Sequence, residues 1–268
     1  AGASAEYTLQ YQSARQVLQE GDPAEAAEAF KKLAADSKTP ATMAHWSLLH
    51  AGIAELLANR SDDARAVFNE LANRTDSSPV AATLRQIAKL AADNQPTPAD
   101  KVSEFSRNDA GAIAPLIFGL KNWNLDKIED AGTLLRQFQT SSPGGEFAWI
   151  ADYKGLVADH LSDLSDYRGA AELIKMATDA NRAAEMLQRT RDGLKTKGAL
   201  TARFDRLGQE VRERLAKQAK AAAERAAAEK EAFAKVQGVL SDLAKDWKFT
   251  QAREELAKFS LSGTKGQR

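Results

Sequence analysis

One short pattern recurs along this chain, and it constrains the fold more than any other feature. Ala26-x3-Phe30-x2-Leu33 returns as Ala64-x3-Phe68-x2-Leu71, as Ala131-x3-Leu135-x2-Phe138 and as Ala252-x3-Leu256-x2-Phe259. Ala170-x3-Ile174-x2-Ala177 is a weaker copy. Ala26 and Ala64 lie 38 residues apart and Ala131 and Ala170 lie 39 apart, while the 67 between Ala64 and Ala131 leave room for a degenerate unit near Ala99. Spacings of three and four place each triplet on one helical face. The small residue lets two helices approach, and the large residues a turn later fill the space between pairs. A single helix pair cannot bury such a face, so units repeating at this period stack.

Helix punctuation agrees. Tyr7, Tyr11, Ala14 and Leu18 form one face of a helix over residues 7–20, which Gly21-Asp22-Pro23 ends before starting the next, with Asp22 as N-cap and Pro23 at the first helical position. Further helices are expected over 41–59, from a Ser61 cap to about 74, from Pro79, over 101–107, 110–121, 125–140 and 146–162, and from 166 to about 194. No stretch alternates as a strand does, and alanine, the commonest residue, favours helix. The chain is therefore expected to be all-α.

Composition narrows the function. Lys and Arg number 37, as do Asp and Glu, so formal net charge is zero and neither nucleic acid nor an anionic membrane is an expected partner. The most apolar stretch, residues 110–120, is too short for a transmembrane helix, which needs about 20 residues. The absence of cysteine excludes disulfides, thiol catalysis and thiolate metal sites, and leans towards a bacterial export compartment such as the periplasm, with a cytoplasmic setting as the alternative. The opening Ala-Gly-Ala-Ser-Ala-Glu reads either as the product of signal-peptide cleavage or as a trimmed edge.

At this point the residues resemble the tetratricopeptide repeat family, whose second helix carries the same small-aromatic-apolar triplet. Ala14, Gly52 and Gly119 occupy the family's first-helix small position, twelve residues before Ala26, Ala64 and Ala131. Gly21 matches its turn glycine, and Pro143 its closing proline. The resemblance covers residues 7–180 and a half-unit at 249–260. It implies a right-handed α-α superhelix of helix hairpins whose first helices line a concave groove. Carried over by offset, that groove comprises Tyr11 and Arg15, then Trp46, Leu49, Ile53 and Leu56, then Ile113, Leu116, Leu120 and Trp123. The implied role is a non-catalytic scaffold holding a peptide or protein partner, in a bacterial envelope assembly. The same large apolar residues equally suit inter-helix core, or a groove filled by the chain's own segment.

From residue 199 the pattern changes. After one step of four from Val211, the positions Leu215, Ala219, Ala222, Ala226, Glu229, Phe233, Val236, Leu240, Leu243 and Trp247 alternate four and three apart, a heptad seam broken only by Glu229. Such a long helix projects, pairs with another chain as a homo-oligomer contact, or folds back; Gly208 and Gly238 are the expected bends. The turn Trp247-Lys248-Phe249-Thr250 then begins the last triplet helix. The expected organisation is a repeat domain over 1–198, a long helix with a terminal hairpin over 199–260, and a flexible tail over 261–268. No polar capping helix follows Phe259, so the array is expected to continue past residue 268.

No constellation points to catalysis, a cofactor or a metal. His45 and His50 are five residues apart and face different directions on one helix, so they do not pinch a metal between them. His160 has Asp159 and Asp163 within a turn but no nucleophile beside it. Ser141-Ser142-Pro143-Gly144-Gly145 lacks the lysine and spacing of a phosphate-binding loop and reads as an inter-helix turn.

Overall fold

The computed structural model describes residues 2–75, 78–105, 109–177, 179–196 and 198–263. Twelve α-helices and no strand occur among the described residues, so the chain is all-α. Two compact units are present: residues 1–177 with 185–208, and residues 178–184 with 209–268. The first unit thus extends ten residues beyond position 198.

Hairpins build the first unit. α1 (Gly2–Gln19) pairs with α2 (Pro23–Ala35), α3 (Ala41–Leu57) with α4 (Ser61–Ala72), and α7 (Ala114–Asn124) with α8 (Ile128–Thr140); α5 (Pro79–Ala91) and the short α6 (Ala99–Ser103) lie between the last two pairs in sequence. The same turn joins each pair. Gly21, Asn59 and Asp126 adopt positive φ values of 93°, 59° and 59°. The next amide, of Asp22, Arg60 or Lys127, donates five residues back to Val17, Glu55 or Asn122. Glycine, asparagine and aspartate are the residues that tolerate this left-handed Schellman geometry most readily. Asp22 caps α2 as expected, its carboxylate accepting from the Glu25 amide at 3.0 Å. Ser61 does not cap α4, because the helix begins at Ser61 itself and the preceding Arg60 makes no side-chain cap bond.

The first three repeated triplets are buried. Ala26, Phe30 and Leu33 sit in one continuous core with Ala64, Phe68 and Leu71 and with Ala131, Leu135 and Phe138. α2 packs on α3, α4 on α5, and α8 on α9 (Lys154–Met176), so each of these three hairpins is covered by the helix that follows. The degenerate unit is held by side chains instead. Asn122 accepts from the Thr97 amide and donates to the Thr97 carbonyl, both at 2.9 Å, while Lys121 donates to the Leu90 carbonyl at the end of α5.

Helix boundaries differ from expectation in the second half of this unit. The segment Gly145–Tyr153 is a 3-10 helix, and α9 then runs unbroken through Asp166, where a new helix was expected; the chain breaks after Met176, before α10 (Ala180–Asp192). Residues 110–113 likewise belong to a 3-10 turn, Asp109–Ile113, before Pro115 takes its place in the first turn of α7. Arg107 lies outside the described residues.

α11 (Ala199–Lys245) begins in the first unit and from residue 209 belongs to the second, where α12 (Phe249–Gly263) follows it. α11 is continuous at both Gly208 and Gly238, since a lone glycine costs a helix only about 1 kcal/mol. Trp247 occupies the turn with φ 58°, and the Lys248 amide donates to the Leu243 carbonyl, repeating the geometry of the three other hairpins. Residues 261–263, expected in a flexible tail, belong to α12. The Phe259 side chain and residues 264–268 lie outside the described structure.

Candidate functional site

The ten residues assigned to a concave groove are brought together, but they are not open. Trp46, Leu49, Ile53, Leu56, Ile113, Leu116, Leu120 and Trp123 are buried, and Tyr11 and Arg15 are half-buried. The groove is filled by the chain itself. α3 packs directly on α7, and the Gly145–Tyr153 strap lies over α1 and α3. Trp149 stands edge-on to Trp46 at 5.0 Å, and Phe147 packs on the same indole at 6.0 Å. Arg15 fastens the strap. Its guanidinium lies 4.4 Å over the Trp149 ring, donates to the Tyr153 hydroxyl at 3.2 Å and pairs with Asp152 at 3.1 Å. Cation–π stacking and planar hydrogen bonding are both suited to arginine.

His50 lies beneath this strap, fully buried. Its Nδ1 contacts the Trp46 carbonyl at 2.6 Å, and burial pulls the imidazole pKa down to about 3. His45 makes the corresponding contact to the Ala41 carbonyl, so each histidine is engaged with its own helix and the two share no ligand. Among the described residues, no group of three or more His, Asp or Glu is placed to hold a metal ion.

What stays open is a cleft of about 680 Å³ at one end of the filled groove. The C-terminal ends of α1, α3 and α7 converge there, contributing Leu18 and Gln19, Leu56 to Asn59, and Trp123 and Asn124. α9 supplies the facing wall with Gly155, Leu156, Asp159 and His160, and Lys195 with Thr196 closes the side. Identical hairpin turns explain the convergence, because each ends a first helix at the same level of the stack.

Polar side chains tie the walls of the cleft together. Asn124 Nδ2 donates to the Leu56 carbonyl at 2.9 Å and ties α7 to α3. Asp163, almost fully buried, accepts from the Lys195 amide and from both the amide and hydroxyl of Thr196. That pins the 195–196 segment to α9. Lys195 Nζ pairs with Asp159 at 3.1 Å on the solvent-facing rim. His160 stands edge-on to the Trp123 ring at 4.9 Å, and its burial lowers its pKa to about 4 against the opposing pull of Asp163 and Asp159. The imidazole is therefore neutral at physiological pH.

Two groove residues, Leu56 and Trp123, line this cleft, and His160 with Asp159 was already conspicuous in the sequence. Asp163, however, serves the 195–196 segment rather than His160. Asn59, Asn124, Lys195 and Thr196 were missed. Asn59 carried a readable signal, since it stands five residues before Ala64 just as Gly21 does before Ala26. The others had none, because they meet only through packing distant in sequence. No family model, curated protein or solved structure matches the chain.

Proposed function

We propose that this chain is a non-catalytic, tetratricopeptide-like scaffold that holds a short segment of a protein partner in the cleft between α3, α7 and α9. The observation that carries this reading is the cleft itself: its volume falls within the ~300–1,000 Å³ of ordinary ligand sites, and its wall mixes apolar residues such as Leu18, Leu56 and Trp123 with polar ones such as Asn124, His160 and Thr196. Three helix C-termini converge there and their dipoles bring partial negative charge, which favours a cationic segment such as a basic peptide. The Asp159–Lys195 pair adds a polar rim. Chemistry is disfavoured by the same residues: His160 is neutral and packed on Trp123, and the Thr196 hydroxyl is committed to Asp163.

Gly155 gives a clean test. It lines the cleft, and a Cβ built there meets nothing within 4 Å, as is also true of Gly169 farther along α9 and outside the cleft. Peptides selected on the full chain from a random displayed library should lose binding at least about tenfold on Gly155→Trp and keep it on Gly169→Trp. Equal binding to both variants would remove the cleft as the partner site.

A further inference from the structure

Among the described residues, Asp159 and Lys195 are the two charged side chains that line the cleft, and they are paired with each other. The backbone beneath Lys195 is held firmly. Asp163, almost fully buried one turn after Asp159 on α9, accepts from the Lys195 amide at 3.1 Å and from the Thr196 amide and hydroxyl at 2.6 Å each. The side chain of Lys195 is held loosely. It is 58% exposed and the Asp159 side chain is 56% exposed, so their 3.1 Å contact is an ion pair in water. Such a pair is weak, because solvent competes for both ends and two side chains must be kept in one geometry. Lys195 can therefore leave Asp159 while the 195–196 segment stays in place.

Without the Lys195 ammonium the cleft is anionic. The C-terminal ends of α1, α3 and α7 bring the negative ends of three helix dipoles to it. Asp159 adds a full charge, and His160, whose pKa burial lowers to about 4, is neutral and offsets none of it. Leu156, one turn before Asp159 on α9, lines the cleft together with Leu56, Leu57 and Trp123. A cation on an aliphatic stem suits both parts, the stem lying along the apolar wall and the head reaching the carboxylate. Lys195 has that shape itself, and from the rim it holds the place such a cation would take.

We propose that a lysine or arginine side chain of the bound peptide displaces Lys195 from Asp159, so that Asp159 selects a basic residue and Lys195 is its built-in competitor. The inference rests on the cleft reading and names the residue which that reading leaves open. Exchanging one cation for another conserves the ion pair, and the incoming stem gains burial that the rim position denies to Lys195. An acidic residue in the same place would meet the carboxylate and three dipoles of its own sign.

Peptides selected on the full chain from a random displayed library are the probe, with affinities measured on the native chain, Gly155→Trp, Asp159→Asn and Lys195→Met. Affinity is expected to fall at least about tenfold on Asp159→Asn and to rise about threefold on Lys195→Met. Norleucine in place of the peptide's basic residue should cost as much, and the norleucine peptide should no longer distinguish Asp159→Asn from the native chain. Both side chains are exposed, so an unchanged thermal midpoint separates lost contact from lost fold. Peptides that lose binding on Gly155→Trp yet ignore Asp159→Asn leave the cleft as the site and overturn this inference. Affinity unmoved by Lys195→Met denies the displacement. Weaker binding on Lys195→Met with stronger binding on Asp159→Asn also overturns it, because the cleft would then read an acidic residue through Lys195. A library without binders, or binders indifferent to Gly155→Trp, removes the cleft reading and this inference with it.

Discussion

Gly52 in α3 presses its bare α-carbon against the Phe68 ring of α4, so closely that a Cβ there would fall 2.3 Å from the ring's Cε1. Gly119 stands in the same relation to Leu135, with a Cβ placed 2.5 Å from Cδ2. In α3 and α7 the small position of the first helix is thus the seat of the large position of the second. Gly52→Ala is expected to destabilise the chain by about 1–3 kcal/mol, since a rigid ring within a filled core must shift. Phe68→Leu in the same chain should recover part of that loss. Urea denaturation of the two singles and the double checks the coupling, and additive costs would deny it.

The repeat was legible because close approach demands a small residue and leaves a fixed offset in the sequence. The triplets, the all-α class and the Gly21 turn follow from local rules of this kind. The filled groove was not legible, since burial of Trp46 depends on a strap about 100 residues away whose 3-10 conformation has no distinct periodicity. The cleft depends similarly on Asp163 reaching residues 195 and 196. The turn expected at Trp247-Lys248 is present, with Trp247 in the left-handed position that glycine, asparagine and aspartate take in the other hairpins.

Acid should weaken the fold through buried imidazoles. His50 and His160 have folded pKa values near 3 and 4, below the unfolded 6.5. Below pH 6.5 the unfolded chain therefore binds protons that the folded chain does not. Stability is complete above about pH 6.5 and falls with decreasing pH, by up to about 1.4 kcal/mol per unit for each histidine, until the folded pKa is reached. Denaturation midpoints between pH 7 and 4.5 measure the slope, and His160→Gln should flatten it.

Arg15 is expected to govern the strap. Arg15→Ala removes the stacking on Trp149 and the bonds to Tyr153 and Asp152, costing about 1–3 kcal/mol. Amide exchange should quicken across 145–153 more than in α4. Arg15→Lys should behave nearly as alanine does, because an ammonium cannot stack and fork together. Uniform exchange across both regions would show that the strap needs no clamp.

Asp163→Asn should release the 195–196 segment. An amide in that buried position turns at least one donor towards the Lys195 and Thr196 amides, for a loss of about 2–3 kcal/mol. The exchange of those two amides is the readout, and it should rise well before the core of α3 responds.

A sealed groove beside an open cleft is most directly tested by thiol accessibility, for which a cysteine-free chain is well suited. Single cysteines would be placed by Ile53→Cys in the groove, Ala58→Cys at the cleft and Met176→Cys as an exposed reference, and their labelling rates compared under native conditions. The structure predicts that Ala58→Cys reacts within about tenfold of the reference while Ile53→Cys reacts at least about a thousandfold more slowly, limited by opening of the fold. Labelling of Ile53→Cys as fast as Ala58→Cys would mean an open groove, and would contradict the account.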